Sequence, residues 1–374
     1  MNKYFKGWLW VCFFGIQNHA ISQTWESLQP GFNATEYKDM LWLAFYGMSD
    51  SLMKQQNFTL ENGQYQRLYR SPEVGLYNRA EIYLRSDSVI ILSLRGTVNK
   101  PDSWLENFYA GMVPASGSVQ LTSDYKFDYQ FAENAQASVH IGWALGTGFL
   151  VREYLPVLEA LLKRGLRKMI VTGHSQGGAL SFLNTSYLYY YFRDKYAGLQ
   201  LKTYASAAPK PGNLFYAYDF DAITGPGYAY RVVNAQDWVP ETPIAVQGLG
   251  DFNEVNPFSN VIDVVQKQKF PVRLAMNYMY KSMRNGSRKA AKRYNRFLGN
   301  GVGKQVAKRL PGFVPPQLLQ QNNYSTAGAP VILKGSKTYQ EKYVNDSSNV
   351  FLHHNYAPYL FLLNEFIQSS ASGK

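Results

Sequence analysis

A serine lies between two glycines in the stretch VTGHSQGGAL, residues 171–180, where an apolar run meets a helical pattern. Gly173 and Gly177 lie two residues before and two residues after Ser175, which is the G-x-S-x-G spacing of a nucleophile elbow. Small residues at these positions let a strand and a helix pass close together at a sharp turn. We therefore predict that Ser175 is a nucleophile at a helix N-terminus, and that the N–H of Gln176 donates to the oxyanion formed by its attack.

A serine nucleophile needs a general base, and the chain has five histidines. His19 lies near the N-terminus in a segment that resembles an export signal, and His140 lies upstream of the nucleophile. His174 is its neighbour on the tight turn and should point away from it. In hydrolases with this elbow the chain order is serine, acid, histidine. That order leaves His353 and His354, in FLHHNYAPYL, as candidates for the base; an ordinary surface pair is the alternative.

The acid that orients the base should follow a strand between the serine and the histidines. Asp237 does so in YRVVNAQDWVPETP, where a carboxylate could fix the imidazole tautomer. Asp219 and Asp221 are less suitable because they fall in a helical stretch. A second oxyanion donor is expected from the N–H of Thr97, at the end of the strand-like ILSLRGT. The alternative there is an ordinary junction of strand and turn.

The elements that must position these residues alternate between strand and helix. Short apolar stretches such as RKMIVTG, LKTYASAAP and YAYRVVNA predict strands. GWALGTGFLVREYLPVLEALLKRG, GGALSFLNTSYLYYYFRD and the final YAPYLFLLNEFIQ have apolar residues at helical spacing. This alternation predicts an α/β fold with a mostly parallel central sheet flanked by helices.

These motifs together resemble the class 3 lipase family, the fungal-lipase-like α/β-hydrolases. The stretches that carry the resemblance are, in order, LSLRGT, SWLENF, VHIGW, VTGHSQGGAL, ASAAPKPGN, RVVNAQDWVPETP and HHNYAPYL. The resemblance implies an α/β-hydrolase fold and hydrolysis of carboxylic esters through an acyl-serine. It also implies a triad of Ser175, Asp237 and His354, with the backbone amides of Thr97 and Gln176 as the oxyanion hole.

The chain departs from the family pattern in several places. Gln176 stands where leucine is commoner, and the stretch 111–138 is long and polar, which points to an altered lid. The family spacing from histidine to a following tyrosine selects His354 with Tyr359, but His353 with Tyr356 fits a shorter variant. The base therefore stays open between the two histidines.

The N-terminus has the pattern of an export signal. MNKYFK is basic, GWLWVCFFGI is apolar but too short to span a bilayer, and QNHAISQ is polar with small residues. We expect a signal peptide at 1–22 and export to the periplasm or the medium, with a retained anchor as the alternative. Cys12, the only cysteine of the chain, would leave with the signal, so the mature protein would lack disulfides and thiol chemistry. We expect a single hydrolase domain at 23–374.

Positive charge is concentrated in one segment. Residues 264–309 hold thirteen lysines and arginines and no acidic residue, whereas the net charge of the whole chain is +12. We expect a basic helical insertion at about 250–340 that binds an anionic membrane surface, because cationic amphipathic helices suit such surfaces. A solvated helical face is the alternative. No nucleic-acid motif is present, and we expect no nucleic-acid partner.

The predicted function is serine ester hydrolysis of acylglycerols or phospholipids. The alternatives are a non-catalytic lipid- or polyanion-binding protein on the same fold, and an esterase for soluble substrates or polysaccharide esters. The sequence has no H-E-x-x-H motif and no phosphate loop, so we expect no metal and no cofactor, with calcium as an open alternative. Oligomeric state, acyl length and head group are left open.

Overall fold

The computed structural model describes residues 28–47, 57–60, 63–253, 255–256 and 261–371. The predicted signal peptide at 1–22, with Cys12 and His19, lies outside the described residues. Over the described ranges, no helix combines the length and hydropathy needed to cross a bilayer.

The strands form one large sheet and two small ones. In chain order they are β1 (Asn57–Leu60), β2 (Gly63–Arg70), β3 (Ala80–Arg85), β4 (Ile90–Leu94), β5 (Met112–Pro114), β6 (Ser116–Thr122), β7 (Tyr125–Gln130), β8 (Ser138–His140), β9 (Lys168–His174), β10 (Gln200–Ser206), β11 (Gly212–Asn213), β12 (Ala229–Asn234), β13 (Tyr324–Ser325) and β14 (Ala329–Leu333).

The helices precede, follow and separate these strands. They are α1 (Ala34–Tyr46), α2 (Pro101–Phe108), α3 (Ile141–Lys163), α4 (Gln176–Phe192), α5 (Leu214–Thr224), α6 (Val261–Gln266), α7 (Val272–Tyr294), α8 (Val302–Arg309), α9 (Lys337–Lys342) and α10 (Tyr356–Ala371). Short 3₁₀ turns occur at Val239–Glu241 and Leu352–His354, and a π-helix spans Asn295–Gly301.

The main sheet has eight strands in the order β1-β2-β3-β4-β9-β10-β12-β14. Neighbours from β4 to β14 are parallel, and β1 to β4 form an antiparallel extension. The carboxyl ends of the central strands coincide, since Gly173 pairs with Leu94 and His174 with Ser206. The alternating pattern predicted this mostly parallel sheet, and the family resemblance implied its α/β-hydrolase arrangement, with Ser175 directly after the central strand β9.

The two faces of the sheet bury different side chains because successive residues of a strand point in opposite directions. Leu92 and Val171 pack into a core shared with α3 and α4, whereas Ile91 and Ile170 pack into one shared with α1 and α10. Such near-continuous apolar strands are typical of a parallel sheet covered on both sides. The sheet is thus packed between two apolar layers, and the candidate residues lie at its carboxyl edge.

The basic segment is helical for most of its length. It comprises α6, α7, the π-helix and α8, which end at Arg309. Ala329–Leu333, inside the range expected for the helical insertion, forms β14 of the main sheet and pairs with β12. The long polar stretch after α2 instead forms β5 and the β6–β7 hairpin.

Candidate active site

The turn at Ser175 has the geometry of a nucleophile elbow. Its φ of 62° and ψ of −127° place a non-glycine residue in a strained conformation between β9 and α4. A Cβ on Gly177 would lie 2.2 Å from the Leu94 carbonyl oxygen, and one on Gly173 would lie 2.3 Å from the carbonyl of Gly177. The glycines are therefore required because strand and helix cross without room for a methyl group. The turn leaves Ser175 partly exposed at the helix N-terminus.

Two residues with backbone N–H groups line the same pocket as the serine. Thr97 and Gln176 both line the cavity that contains Ser175. Within the described part of the chain, neither N–H forms a hydrogen bond, while the N–H of Ser175 donates to the Ser206 carbonyl at 2.9 Å. Gln176 is the first residue of α4, so its N–H has no partner inside the helix. The arrangement leaves two donors available for a developing oxyanion.

The side chain of Gln176 forms hydrogen bonds with both the Thr97 side chain and a buried acid, Glu106. Its Oε1 accepts the Thr97 hydroxyl at 2.7 Å, and its Nε2 donates to Glu106 at 2.8 Å. Asn78 donates to the other oxygen of Glu106, and Asn107 donates to the Thr97 hydroxyl at 2.8 Å. Glu106 is completely buried, and burial raises its pKa to about 8. The acid is therefore mostly neutral at pH 7, so no carboxylate charge opposes an oxyanion.

The structure brings Asp237 and His354 together. Asp237 follows β12, and His354 ends the turn before α10; Nδ1 of the imidazole lies 2.7 Å from Oδ2 of the carboxylate. The same oxygen accepts the Tyr359 hydroxyl at 2.9 Å, and Oδ1 accepts the N–H of Val239 at 3.0 Å. Because both carboxylate oxygens already accept hydrogen bonds from these other groups, we assign the proton of the pair to Nδ1 of His354.

The third link of a triad is not formed in this conformation. Within the described residues, neither Ser175 Oγ nor Nε2 of His354 makes a hydrogen bond. His174 holds the two residues near each other, since it precedes the serine and its Nε2 lies 2.8 Å from the His354 carbonyl oxygen. Such bonds are often long in hydrolases without substrate and tighten when it binds.

His174 supports the site from beneath rather than entering it. Its Nε2 faces a carbonyl and must carry the proton, so its Nδ1 accepts from the Ser206 hydroxyl at 2.9 Å. Tyr37 is 2.7 Å from that hydroxyl. Burial, with a smaller contribution from His354, holds the pKa of His174 well below its usual value. The neutral ring therefore positions the main chain of His354.

His353 points to other partners. Its Nδ1 lies 2.7 Å from the Tyr339 hydroxyl, and its Nε2 lies 2.8 Å from Oδ1 of Asn345. Burial lowers its pKa. Both ring nitrogens are thus occupied, and neither contacts Asp237.

The remaining candidates lie elsewhere. In α5, Asp219 accepts from Tyr190 and from the N–H of Glu133, and Asp221 accepts the N–H of Gly328. His140 caps α3: its Nδ1 accepts the N–H of Trp143 at 3.3 Å. Its Nε2 donates to the Asn107 carbonyl at 3.2 Å, and burial lowers its pKa to about 3. His140 is therefore a neutral structural residue.

An apolar cavity of about 220 Å³ opens beside Ser175. Its walls include Trp104, Phe108, Ile244, Leu298 and Phe351. Phe108 and Ile244 expose 51% and 71% of their surface, so apolar side chains continue from the cavity onto the outside of the protein. A cavity of this kind suits an acyl chain.

Sequence reasoning missed Glu106 and the role of His174. Glu106 lies in SWLENF, a motif from which the sequence analysis predicts no role for the acid. Its partner Gln176 replaces the leucine that is commoner in the family. A polar residue replacing an apolar one at a buried site requires a buried hydrogen-bond partner, and that signal could have been followed to Glu106.

The comparisons with known proteins agree on one family. Residues 91–247 match the model of the class 3 lipases. The chain is 29% identical over 187 residues to the secreted mono- and diacylglycerol lipase 1 of Fusarium solani, over 47% of this chain and 46% of that protein. It is 34% identical over 108 residues to a lipase of Rhizopus niveus, over 29% of this chain and 27% of that protein.

The chain thus spans about half the length of the Fusarium protein and about a quarter of the Rhizopus one. Among solved structures, lipase II from Rhizopus niveus aligns over 56% of this chain and 74% of its own, with 21% identity and a TM-score of 0.42. The family match includes Thr97, the elbow at Ser175 and Asp237. The family model thus assigns residues 91–247 of this chain to the class 3 lipases.

Proposed function

We propose that this protein is a serine hydrolase that cleaves carboxylic esters of lipids, acylglycerols or phospholipids, through an acyl-serine intermediate. The observation that carries the proposal is the pair of Asp237 and His354 held against the turn that exposes Ser175. Nucleophile, base, acid and two free N–H donors then meet at one edge of the sheet, beside an apolar cavity.

In the first half-reaction, Ser175 Oγ attacks the ester carbonyl while Nε2 of His354 accepts its proton. Asp237 holds Nδ1–H and stabilises the imidazolium that forms. The N–H groups of Thr97 and Gln176 donate to the oxyanion. The intermediate collapses, the ester C–O bond breaks, and the alcohol leaves with the proton from His354.

In the second half-reaction, water attacks the acyl-serine and gives its proton to His354. The same two N–H groups stabilise the second oxyanion. Collapse returns the proton to Ser175 and releases the fatty acid. The reaction consumes one water per ester, and these residues can carry every proton transfer.

The apolar cavity supports a lipid substrate. Its walls, Trp104 and Phe351 among them, would lose contact with water when an acyl chain enters, which favours long acyl groups. The relative from Fusarium solani is named a mono- and diacylglycerol lipase, and this supports acylglycerols as one substrate class.

We also propose export. The basic and apolar pattern of the first 22 residues supports a cleaved signal, and the same relative is named a secreted protein. N-terminal sequencing of protein recovered outside the cell should begin near residue 23, and recovery of the intact N-terminus would contradict cleavage. Beyond its substrate, an anionic phospholipid surface is the proposed partner of residues 264–309.

The test is fatty-acid release from phosphatidylglycerol vesicles, a triacylglycerol emulsion and a soluble short-chain ester. Ser175→Ala should abolish release from the substrates that the parent hydrolyses. Ser118→Ala, which removes an exposed serine from β6, should not. Release that survives Ser175→Ala would overturn the proposal. Release from vesicles would identify a phospholipase, release from the emulsion a lipase of neutral lipids, and release from the soluble ester alone would refute a lipid substrate.

A further inference from the structure

Helix α7 lies almost entirely outside the core. It spans Val272–Tyr294, and Ala291 is its only buried residue. Val272, Met276, Met279 and Met283 recur at helical spacing and share one face. Val272, Met279 and Met283 expose 51%, 60% and 56% of their surface. An exposed apolar stripe of this length marks a surface that another apolar phase covers.

The same segment carries unneutralised positive charge. Residues 264–309 contain thirteen basic and no acidic residues. In the described part of the chain, one of these, Arg309, forms an ion pair, with Asp102 at 3.1 Å. Apolar and cationic side chains on one helix match a surface that has both an apolar interior and anionic groups.

A cavity of about 520 Å³ lies between α7 and the loop at 246–251. Arg284 and Arg288 line it, and the buried Nε of Arg284 has no hydrogen-bond partner among the residues that the structure describes. Among the described residues that line it, Asp251 is the only acid, and it accepts the N–H of Gly248 at 2.6 Å. Two guanidinium groups and one carboxyl group give the described lining of the cavity a net positive charge. A guanidinium group can bind two oxygens of one phosphate through two parallel hydrogen bonds.

The end of α7 reaches the catalytic cavity. Tyr294, its last residue, and Leu298, in the π-helix that follows, both line the cavity beside Ser175. A surface that binds α7 is therefore connected through one continuous stretch of chain to the wall of the proposed acyl site.

We propose that α7 docks onto an anionic phospholipid surface, with Val272, Met279 and Met283 in the acyl region and Arg284 and Arg288 on lipid phosphate. Charge complementarity and the apolar stripe together select this partner, because a purely polar polyanion would leave the methionines in water. The inference rests on the proposed function in one respect, that the docked surface supplies the ester substrate.

The test separates docking from hydrolysis by measuring vesicle binding in the Ser175→Ala background. Sedimentation is compared for vesicles of phosphatidylcholine alone and for equal amounts of phosphatidylcholine and phosphatidylglycerol. The variants are Met279→Ser with Met283→Ser, and Arg284→Gln with Arg288→Gln. The control, Lys163→Gln with Arg164→Gln, removes the same charge near the start of β9, at the opposite edge of the sheet from Ser175.

We expect binding to the mixed vesicles only, and binding that weakens with salt. The arginine pair should lower affinity about thirtyfold and the methionine pair about tenfold, with the control unchanged. Equal thermal unfolding midpoints will show that all variants are folded. If affinity for the mixed vesicles falls in the arginine variant but not in the methionine variant, the segment is a general polyanion surface and the proposal is overturned. The proposal is also overturned if the control variant loses as much affinity as the arginine variant. These results hold whether or not the protein hydrolyses lipid, so failure of either proposal is seen separately.

Discussion

Oδ2 of Asp237 is shared between Nδ1 of His354, at 2.7 Å, and the Tyr359 hydroxyl, at 2.9 Å. The Asp237 side chain is completely buried, so the carboxylate cannot exchange these partners for water. Its geometry fixes the tautomer of His354 with the proton on Nδ1. Nε2 is then left to accept a proton from Ser175, the proposed nucleophile.

The first prediction distinguishes the adjacent histidines. His354→Ala should lower kcat/KM on a soluble ester by about 10⁴-fold, because it removes the proposed general base. His353→Ala should lower it by less than about tenfold, since the described hydrogen bonds of this ring go to Tyr339 and Asn345 and not to Asp237. Steady-state kinetics on both variants is the measurement. A larger loss with His353→Ala would transfer the role of base to that residue.

The second prediction concerns the carboxylate of Asp237, which bonds to His354, and the hydrogen bond that this carboxylate accepts from Tyr359. Asp237→Asn should lower kcat by about 10⁴-fold, because an amide would favour the wrong imidazole tautomer. Tyr359→Phe removes one hydrogen bond from the carboxylate and should cost about 1 kcal/mol, or a few-fold in kcat. Comparing kcat for the two variants is the measurement. Similar losses would mean that Asp237 acts through packing and not through the tautomer.

The elbow and its position after a central strand could be predicted from sequence, because close crossing of strand and helix imposes local rules on residue size. Gly173 and Gly177 satisfy those rules within five residues of chain. The parallel sheet could be predicted for the same reason, since buried strands such as RKMIVTG are apolar on both faces.

The choice between His353 and His354 could not be made locally. Adjacent side chains on the short turn at Leu352–His354 have different partners, and contacts made outside the turn decide which of them faces Asp237. Tyr339 and Asn345 hold His353, and the carbonyl of His354 accepts from His174, 180 positions away. Family spacing allowed either residue, and tertiary contacts distinguish them.

The third prediction tests the close crossing at the elbow. Gly177→Ala should destabilise the protein by about 1–3 kcal/mol, because its Cβ would lie 2.2 Å from the Leu94 carbonyl oxygen. Gly286→Ala is the matched control in α7, where a Cβ meets nothing within 4 Å. That change should stabilise the helix by about 1 kcal/mol. Urea unfolding gives both free energies, and equal stability of the two variants would contradict the crowded crossing.

The fourth prediction concerns Glu106 and pH. Burial raises its pKa to about 8, so the folded protein holds this proton while an unfolded chain releases it near the ordinary value of 4.5. The free energy of unfolding should therefore fall as pH rises from about 4.5 to 8, because the unfolded state binds fewer protons there. Glu106→Gln should remove this contribution. Chemical unfolding at a series of pH values is the measurement.

The same titration should appear in the kinetics, because ionised Glu106 would place negative charge behind Gln176, whose N–H is the proposed oxyanion donor. The parent should lose kcat above pH 8, by about tenfold at most, with little change in KM. Glu106→Gln keeps the hydrogen bond from Gln176 but cannot ionise, so its kcat should stay level. Glu341→Gln, at an exposed ion pair with Lys337, should behave as the parent does. An alkaline loss that persists in Glu106→Gln would assign the titration to another group and leave Glu106 with a packing role alone.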